Sequence, residues 1–536
     1  MRRFWPFCIL IAFSFQPSVF GQHALHAVPA IPQEILERTV TLRTGIGVAH
    51  DDAGTKSADA QKFYDQGLAY LQNYVWIEAA RSFHQALKAD PNLALAHVGL
   101  SYAYIELNKP AQARQAITTA QSLAAKAGDH VKRHVDARTL QMAAENAPGD
   151  PAKLAAYRKS LDGAIAAFPD DVELLLLRGI AESPDPADRG QGSVLGSIPY
   201  YERALKAAAP SAALGFGAHH FLAHAYESAG RIKEAADHAA AYAAQASSVP
   251  HAVHMHGHEL RRLGRITDAI ARFEAADKLQ RDYLAREKIS PEFDWHLAHN
   301  LDLLAASYQY VGQMKKAEAL LKQSFNLPTN LLVQAVNKRE WPQFLIARNR
   351  PAEALAAATQ LLLHPNLVVQ ATGHIESGLA SLAMNKPADG AAASNAALKA
   401  LRSAQAGQGL AAIELEGLQG EFLLRTAQRE KGRAAMERAA QKWRGLPGPD
   451  AWTQSLFRLE ALARAARSVG DWSLAARMAQ VMLEHDPNYA GTHYALALVA
   501  QHNGNTATAG REFDLAVKAW ANADSDLPEL AVARKK

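Results

Sequence analysis

Histidines gather in three blocks of this 536-residue chain. They are Ala218-His219-His220-Phe221-Leu222-Ala223-His224, then His251-Ala252-Val253-His254-Met255-His256-Gly257-His258, then His296-Leu297-Ala298-His299-Asn300-Leu301-Asp302. Residues four apart on a helix face the same way, so His220 with His224 and His254 with His258 each form a His-x-x-x-His pair. Two such helices packed about 10 Å apart can bring four imidazoles around one ion. Imidazole sets suit Zn²⁺, Cu²⁺ or another borderline metal, with His299 or Asp302 alongside. Neutral imidazoles in a wet groove can equally hydrogen-bond a peptide or one another, and both readings stay open.

Catalytic motifs are scarce. His258-Glu259-Leu260-Arg261-Arg262 starts like a zincin helix, with Glu259 placed as a general base, but lacks the second histidine four positions after the first. Gly190-Gln191-Gly192-Ser193-Val194-Leu195-Gly196 is one residue too long for a dinucleotide fingerprint and follows no strand. The sequence has neither a Gly-x-Ser-x-Gly elbow nor a P-loop. Three functions follow, in order: an interaction scaffold, a metal-binding or metal-delivery protein with Glu259 or Asp302 orienting an imidazole, and a metal-dependent hydrolase. No catalytic residue is assigned.

The elements that must position these histidines are repeats. Gly67, Tyr70, Ala79, Phe83, Ala86 and Pro91 recur about 34 residues on as Leu100-Ser101, Tyr104, Ala113, Ile117 and Ala120. Later copies run through Leu222-Ala223, Tyr226, Ala235 and Ala239, then Gly257, Leu260, Ala269, Phe273 and Ala276, then Leu304-Ala305, Tyr308, Gly312, Ala317 and Leu321. Two more lie near the end, at Leu462-Ala463, Gly470, Ala475 and Pro487, and at Leu496-Ala497, Gly504, Ala509, Phe513 and Ala516. Small residues let two helices approach and large ones fill the gap between them; one unit cannot bury its apolar face alone, so copies stack.

This pattern resembles the tetratricopeptide-repeat superfamily, and the histidine blocks resemble those of exported bacterial members with His-rich central repeats. The resemblance implies an all-α, right-handed superhelical solenoid. It also implies that positions 2, 5 and 9 of each first helix line a concave groove. His220 and His224 then take positions 5 and 9 of one repeat, and His254 and His258 the same positions of the next. His251 takes position 2, while His299 and Asp302 take positions 2 and 5 of the third. His220, His224, His251, His254, His258, His299 and Asp302 thus form one groove patch, with His220, His224, His254 and His258 as the metal quartet. Carboxylate-clamp members carry Lys and Asn at groove positions 5 and 9, so histidine there argues against capture of a partner's C-terminal carboxylate.

Other histidines get plainer roles. His97, His219 and His493 fall at position 4, which packs inside the unit. His130 and His134 have helical spacing without nearby companions and read as a solvated face.

The segments are expected as follows: 1–21 a signal peptide, 22–57 an extended lead-in, 58–127 a repeat pair, and 128–215 irregular helix with a loop near 184–197. Then come 216–327 as the His-rich repeats, 328–445 as degenerate repeat-like helices, and 446–536 as a last pair and tail. Met1-Arg2-Arg3, the apolar run Phe4–Phe15 and the small-residue stop at Gly21 have the layout of a secretory signal, so the expected location is periplasmic or secreted. The run is short of the roughly 20 residues that span a bilayer. The single cysteine, Cys8, falls in that leader, leaving the mature chain without disulfides or thiolate ligands. A net charge of +4 without a clustered basic and aromatic face argues against nucleic acid, leaving a protein or peptide partner in the groove.

Overall fold

A computed structural model describes residues 31–535, apart from 210–211, 330, 405–406, 427 and 447–450. The expected signal peptide therefore lies outside the described residues. Among the described residues every regular element is a helix.

After a short α1 (Gln33–Leu36) the chain runs as helix pairs: α2 (Ala58–Gln72) with α3 (Trp76–Ala89), α4 (Ala94–Glu106) with α5 (Pro110–Ala124), α6 (Asp129–Glu145) with α7 (Pro151–Ala167), and α8 (Val172–Ile180) with α9 (Ile198–Ala207). The middle holds α10 (Phe216–Ser228) with α11 (Ile232–Gln245), α12 (Pro250–Arg262) with α13 (Ile266–Glu287), and α14 (His296–Tyr310) with α15 (Met314–Asn326). A short α16 (Leu332–Asn337) precedes α17 (Glu340–Ala347) with α18 (Pro351–Leu361), α19 (Leu367–Ala383) with α20 (Pro387–Ser403), and α21 (Gly409–Arg425) with α22 (Arg429–Arg444). The chain closes with α23 (Ala451–Ser468) and α24 (Trp472–His485), α25 (Ala490–His502) and α26 (Thr506–Ala519), and α27 (Pro528–Ala533). Each pair packs on the next, and first helices touch from pair to pair at α2–α4–α6, α10–α12–α14 and α17–α19–α21–α23–α25, giving a helical-repeat solenoid. Residues 128–215 are two further pairs in this stack, and 328–445 hold three.

Local sequence sets these boundaries. Pro110, Pro151, Pro250, Pro351, Pro387 and Pro528 begin helices, where a missing N–H costs nothing. Ser57, Asp171, Asp471 and Asn505 cap theirs through the side chain, satisfying first-turn amides. A Cβ on Gly67 or Gly99 would sit 2.4 or 2.3 Å from the Phe83 ring, so the repeat's small positions exist to let that ring in.

The solenoid closes on itself. The lead-in from 31 to 57 is a strap along the inner face: Thr39 O accepts from Arg81, Thr41 O from Gln66, Gly45 O from Ser248 N and Ile46 O from Asn73. The strap's Arg43 also meets Glu287 at the end of the long α13, at 3.0 Å. At the other end, Asp524 N donates to Gly312 O and Arg348 pairs with Glu529. No helix among the described residues is long and apolar enough to cross a membrane.

Candidate metal centre

The turn joining the helices of a pair repeatedly needs one residue in the left-handed region. Asn108, Gly230, Gly264, Gly312, Asn349, Asn385, Gly470 and Gly504 supply it, as residues that tolerate positive φ. The α2–α3 turn uses Tyr74 instead, at φ 58°, a placement that costs a bulky residue roughly 1–2 kcal/mol. Its ring is the reason. It is inserted beside His220 and His251, with centroids 4.6 and 5.2 Å away, and its hydroxyl donates to Arg189 O in the 184–197 loop at 3.0 Å.

Helices α10 and α12 bring three imidazoles together under that ring. His220 Nε2 lies 3.1 Å from His251 Nε2 and 3.2 Å from His224 Nε2. His220 Nδ1 donates to Gln72 O at 2.7 Å, which leaves a lone pair on Nε2 facing both neighbours. One lone pair cannot serve two N–H donors well. Two nitrogens bound to one tetrahedral ion at about 2.0–2.1 Å lie about 3.3 Å apart, and the observed separations are close to that edge. Burial pushes the His220 imidazole down to about 3 and that of His251 well below its ordinary value, holding both in the neutral form that ligates. The residues therefore fit a borderline divalent ion.

The expected quartet is divided. His254 stands apart from the triad, donating from Nδ1 to Asn300 Oδ1 at 2.9 Å and lying in a row with His296, edge-on, and His299, tilted, at centroid distances of 5.0 and 4.8 Å. His258 faces carboxylates: its Nδ1 is 3.3 Å from Glu227 and 3.9 Å from Glu259. Asp302 turns to α15 and accepts from Ser324 Oγ at 2.6 Å. The physical reason is helical rotation: His251 and His254 differ by three residues, and the crossing of α10 with α12 lets only the first reach His220. The wet groove is also corrected, because His220, His224, His251, His254 and His258 are all buried and the strap runs where solvent was expected.

A cavity of about 450 Å³ borders this row. Its walls include Arg43 of the strap, Tyr70, Tyr74, His251, Tyr283 and His296. Trp295 closes it, donating from Nε1 to Tyr74 O at 3.1 Å. The half-buried placement of His97, His219 and His493 agrees with packing within the unit. The solvated face assigned to His130 and His134 does not hold: His134 is buried and His130 contacts Asp51 and Asp171 at 3.1 and 2.7 Å.

Sequence reasoning gave His296 no role and missed Tyr74, yet Tyr74 stands one period before Asn108, at a turn position otherwise held by Gly or Asn. That anomaly was visible.

The consecutive helix pairs make this an all-α helical-repeat protein. No family model matches the chain, and no curated protein does. Among solved structures it is similar to the human IFIT1 dimer with m7Gppp-AAAA, at 12% identity, over 92% of this chain and 100% of that one, with a TM-score of 0.34. It is also similar to the APC/C hetero-tetramer Cut9-Hcn1, at 12% identity, over 89% and 96%, with a TM-score of 0.30. At these values the likeness bears on neither ligand nor partner.

Proposed function

We propose that this repeat scaffold is a metal-binding protein that holds a divalent transition ion, Zn²⁺ or Cu²⁺, through the Nε2 atoms of His220, His224 and His251. The observation that carries the proposal is the convergence of those three nitrogens. Three protein ligands leave a coordination position for an outside group, in contrast to four-ligand structural sites, and the neighbouring cavity supports a small ligand beside His251. The concave face expected to take a protein or peptide segment holds the strap through backbone groups, so a partner there must displace it. Export is part of the proposal, and a purified chain that begins at Gln22 rather than Met1 would support it.

The deciding experiment is elemental analysis of the untagged full chain beside His220→Ala and His224→Ala. Each variant is expected to lose one equivalent of metal at unchanged helix content. Equal metal in all three would overturn the assignment.

A further inference from the structure

A second cluster lies away from the histidine row, where three parts of the chain meet. Helix α6 supplies His130 and His134, one turn apart on the same face. The strap supplies Asp51, and the N-cap of α8 supplies Asp171. From His130 Nε2 the distances are 2.7 Å to Asp171 Oδ2 and 3.1 Å to Asp51 Oδ1. From His134 Nε2 they are 3.7 and 3.9 Å to the same two oxygens. These separations bracket the edge of about 3.3 Å expected for ligands on a tetrahedral zinc ion.

Each carboxylate divides its oxygens in the way a ligand does. Asp171 Oδ1 accepts from Leu174 N at 2.9 Å and turns Oδ2 inward. Asp51 Oδ2 accepts from Tyr64 Oη at 2.8 Å and turns Oδ1 inward. Such outer hydrogen bonds orient metal ligands. The independent sign of a missing group is His134: its side chain is 4% exposed, and its Nε2, aimed into the cluster, has no hydrogen-bond partner. Buried imidazole nitrogens are ordinarily satisfied.

We infer that Asp51, His130, His134 and Asp171 form a structural site for a divalent transition-metal ion of the zinc class, which staples the strap to α6 and α8. On binding, the imidazoles give up their protons, and two carboxylates around a doubly charged ion make a net-neutral centre in which the ion replaces the proton that His130 shares with Asp51 and Asp171. The site shares no ligand with the three-histidine centre and does not depend on it. Its consequence reaches there all the same, because the strap continues from Asp51 back through Ile46 and Arg43, which line the 450 Å³ cavity. The ion locks the wall of that cavity in place.

The test uses the full chain stripped by dipicolinate and titrated with Zn²⁺ against a chromophoric chelator, alongside His134→Gln, Asp51→Asn and His224→Ala. Asp51→Asn changes a strap residue outside the helix pairs, so it carries the test if His134→Gln does not fold. His134→Gln and Asp51→Asn are expected to lose one zinc, while His224→Ala keeps that zinc. Tryptic cleavage after Arg43 and Lys56 is expected to quicken on stripping and in Asp51→Asn, whether or not His224 is present. Zinc counts in His134→Gln and Asp51→Asn equal to the unsubstituted chain would overturn the site. Zinc loss without any change in strap cleavage would overturn the staple. Failure of the three-histidine proposal would appear separately, as a His224→Ala chain whose zinc count matches the parent.

Discussion

The two halves of the solenoid are built from the same helix pairs and fill their interiors with opposite chemistry. In the N-terminal half, the first helices α10, α12 and α14 carry imidazoles that burial keeps neutral. In the C-terminal half the corresponding helices α19, α21 and α23 carry Glu376, Glu414 and Arg458, joined by Arg339 just before α17. Arg339 Nε donates to Glu414 Oε1 at 2.9 Å, and Gln343 donates to Glu376 and Glu414 at 2.7 and 3.0 Å. Charge there meets opposite charge within the chain. In the histidine row a lone pair meets another imidazole nitrogen, and His251 Nδ1, His254 Nε2 and His296 Nε2 are buried without hydrogen bonds. The repeat fixes where inward residues stand but not whether they complete one another. Glu376 Oε2, Glu414 Oε2 and Arg458 Nε are also buried without hydrogen bonds, so the halves differ in ion pairing: Arg339 meets Glu414 at 2.9 Å, whereas His220 Nε2 meets another imidazole at His251.

The comparison breaks most visibly at Glu414. Glu414→Gln removes the carboxylate that directly pairs with the Arg339 guanidinium, 1% exposed, and is expected to destabilise the fold by about 3–5 kcal/mol in urea denaturation. His224→Ala, measured on metal-free protein, is expected to cost less, since it removes a neutral group. Equal costs would mean the imidazole row is as self-sufficient as the ionic one.

A smaller effect, and one that sharpens the contrast, is the pH response of Glu376. Burial, with Glu414 adding to it, pushes this carboxyl up to about 8. The folded state therefore holds a proton that the unfolded chain releases near 4.5, so stability falls as pH rises from about 4.5 to about 8 and is level above. Glu376→Gln keeps the shape without the titration. It is expected to raise the melting temperature at pH 8.5 and to change little at pH 4.5. A slope unaltered by the substitution would place the titration elsewhere.

The repeat was legible because its signal is local: a small residue, an aromatic and a helix boundary at fixed spacing, as Gly67 and Phe83 show by their contact. The histidine row was legible as a region for the same reason. Its partition was not. Which of His251 or His254 reaches His220 depends on how α12 is rotated against α10, and no spacing within either helix encodes that. The His130 and His134 site was hidden more thoroughly, because its other two ligands come from a strap and a helix cap far along the chain. The strap itself looked like a lead-in, since much of its hold on the body runs through its own backbone groups at Thr39, Thr41, Gly45 and Ile46, which carry no sequence signal.

The smallest expected effect concerns how each half is closed. The strap is held largely by backbone capture, whereas the C-terminal tail relies on Arg348, whose two Nη atoms donate to Glu529 at 3.1 and 2.5 Å. That pair is only partly buried, at 16% and 23% exposure, so Glu529→Gln is expected to cost about 1 kcal/mol, as a screened ion pair does. Loosening should stay local, because Asp524 N still donates to Gly312 O and Lys315 N to Asp524 Oδ2. Hydrogen exchange would show faster amides in α27 and unchanged protection at Gly45–Gly47. Faster exchange in the strap as well would mean the two closures are coupled through the stack, and the halves would then have to be treated as one cooperative unit rather than two interiors on a shared frame.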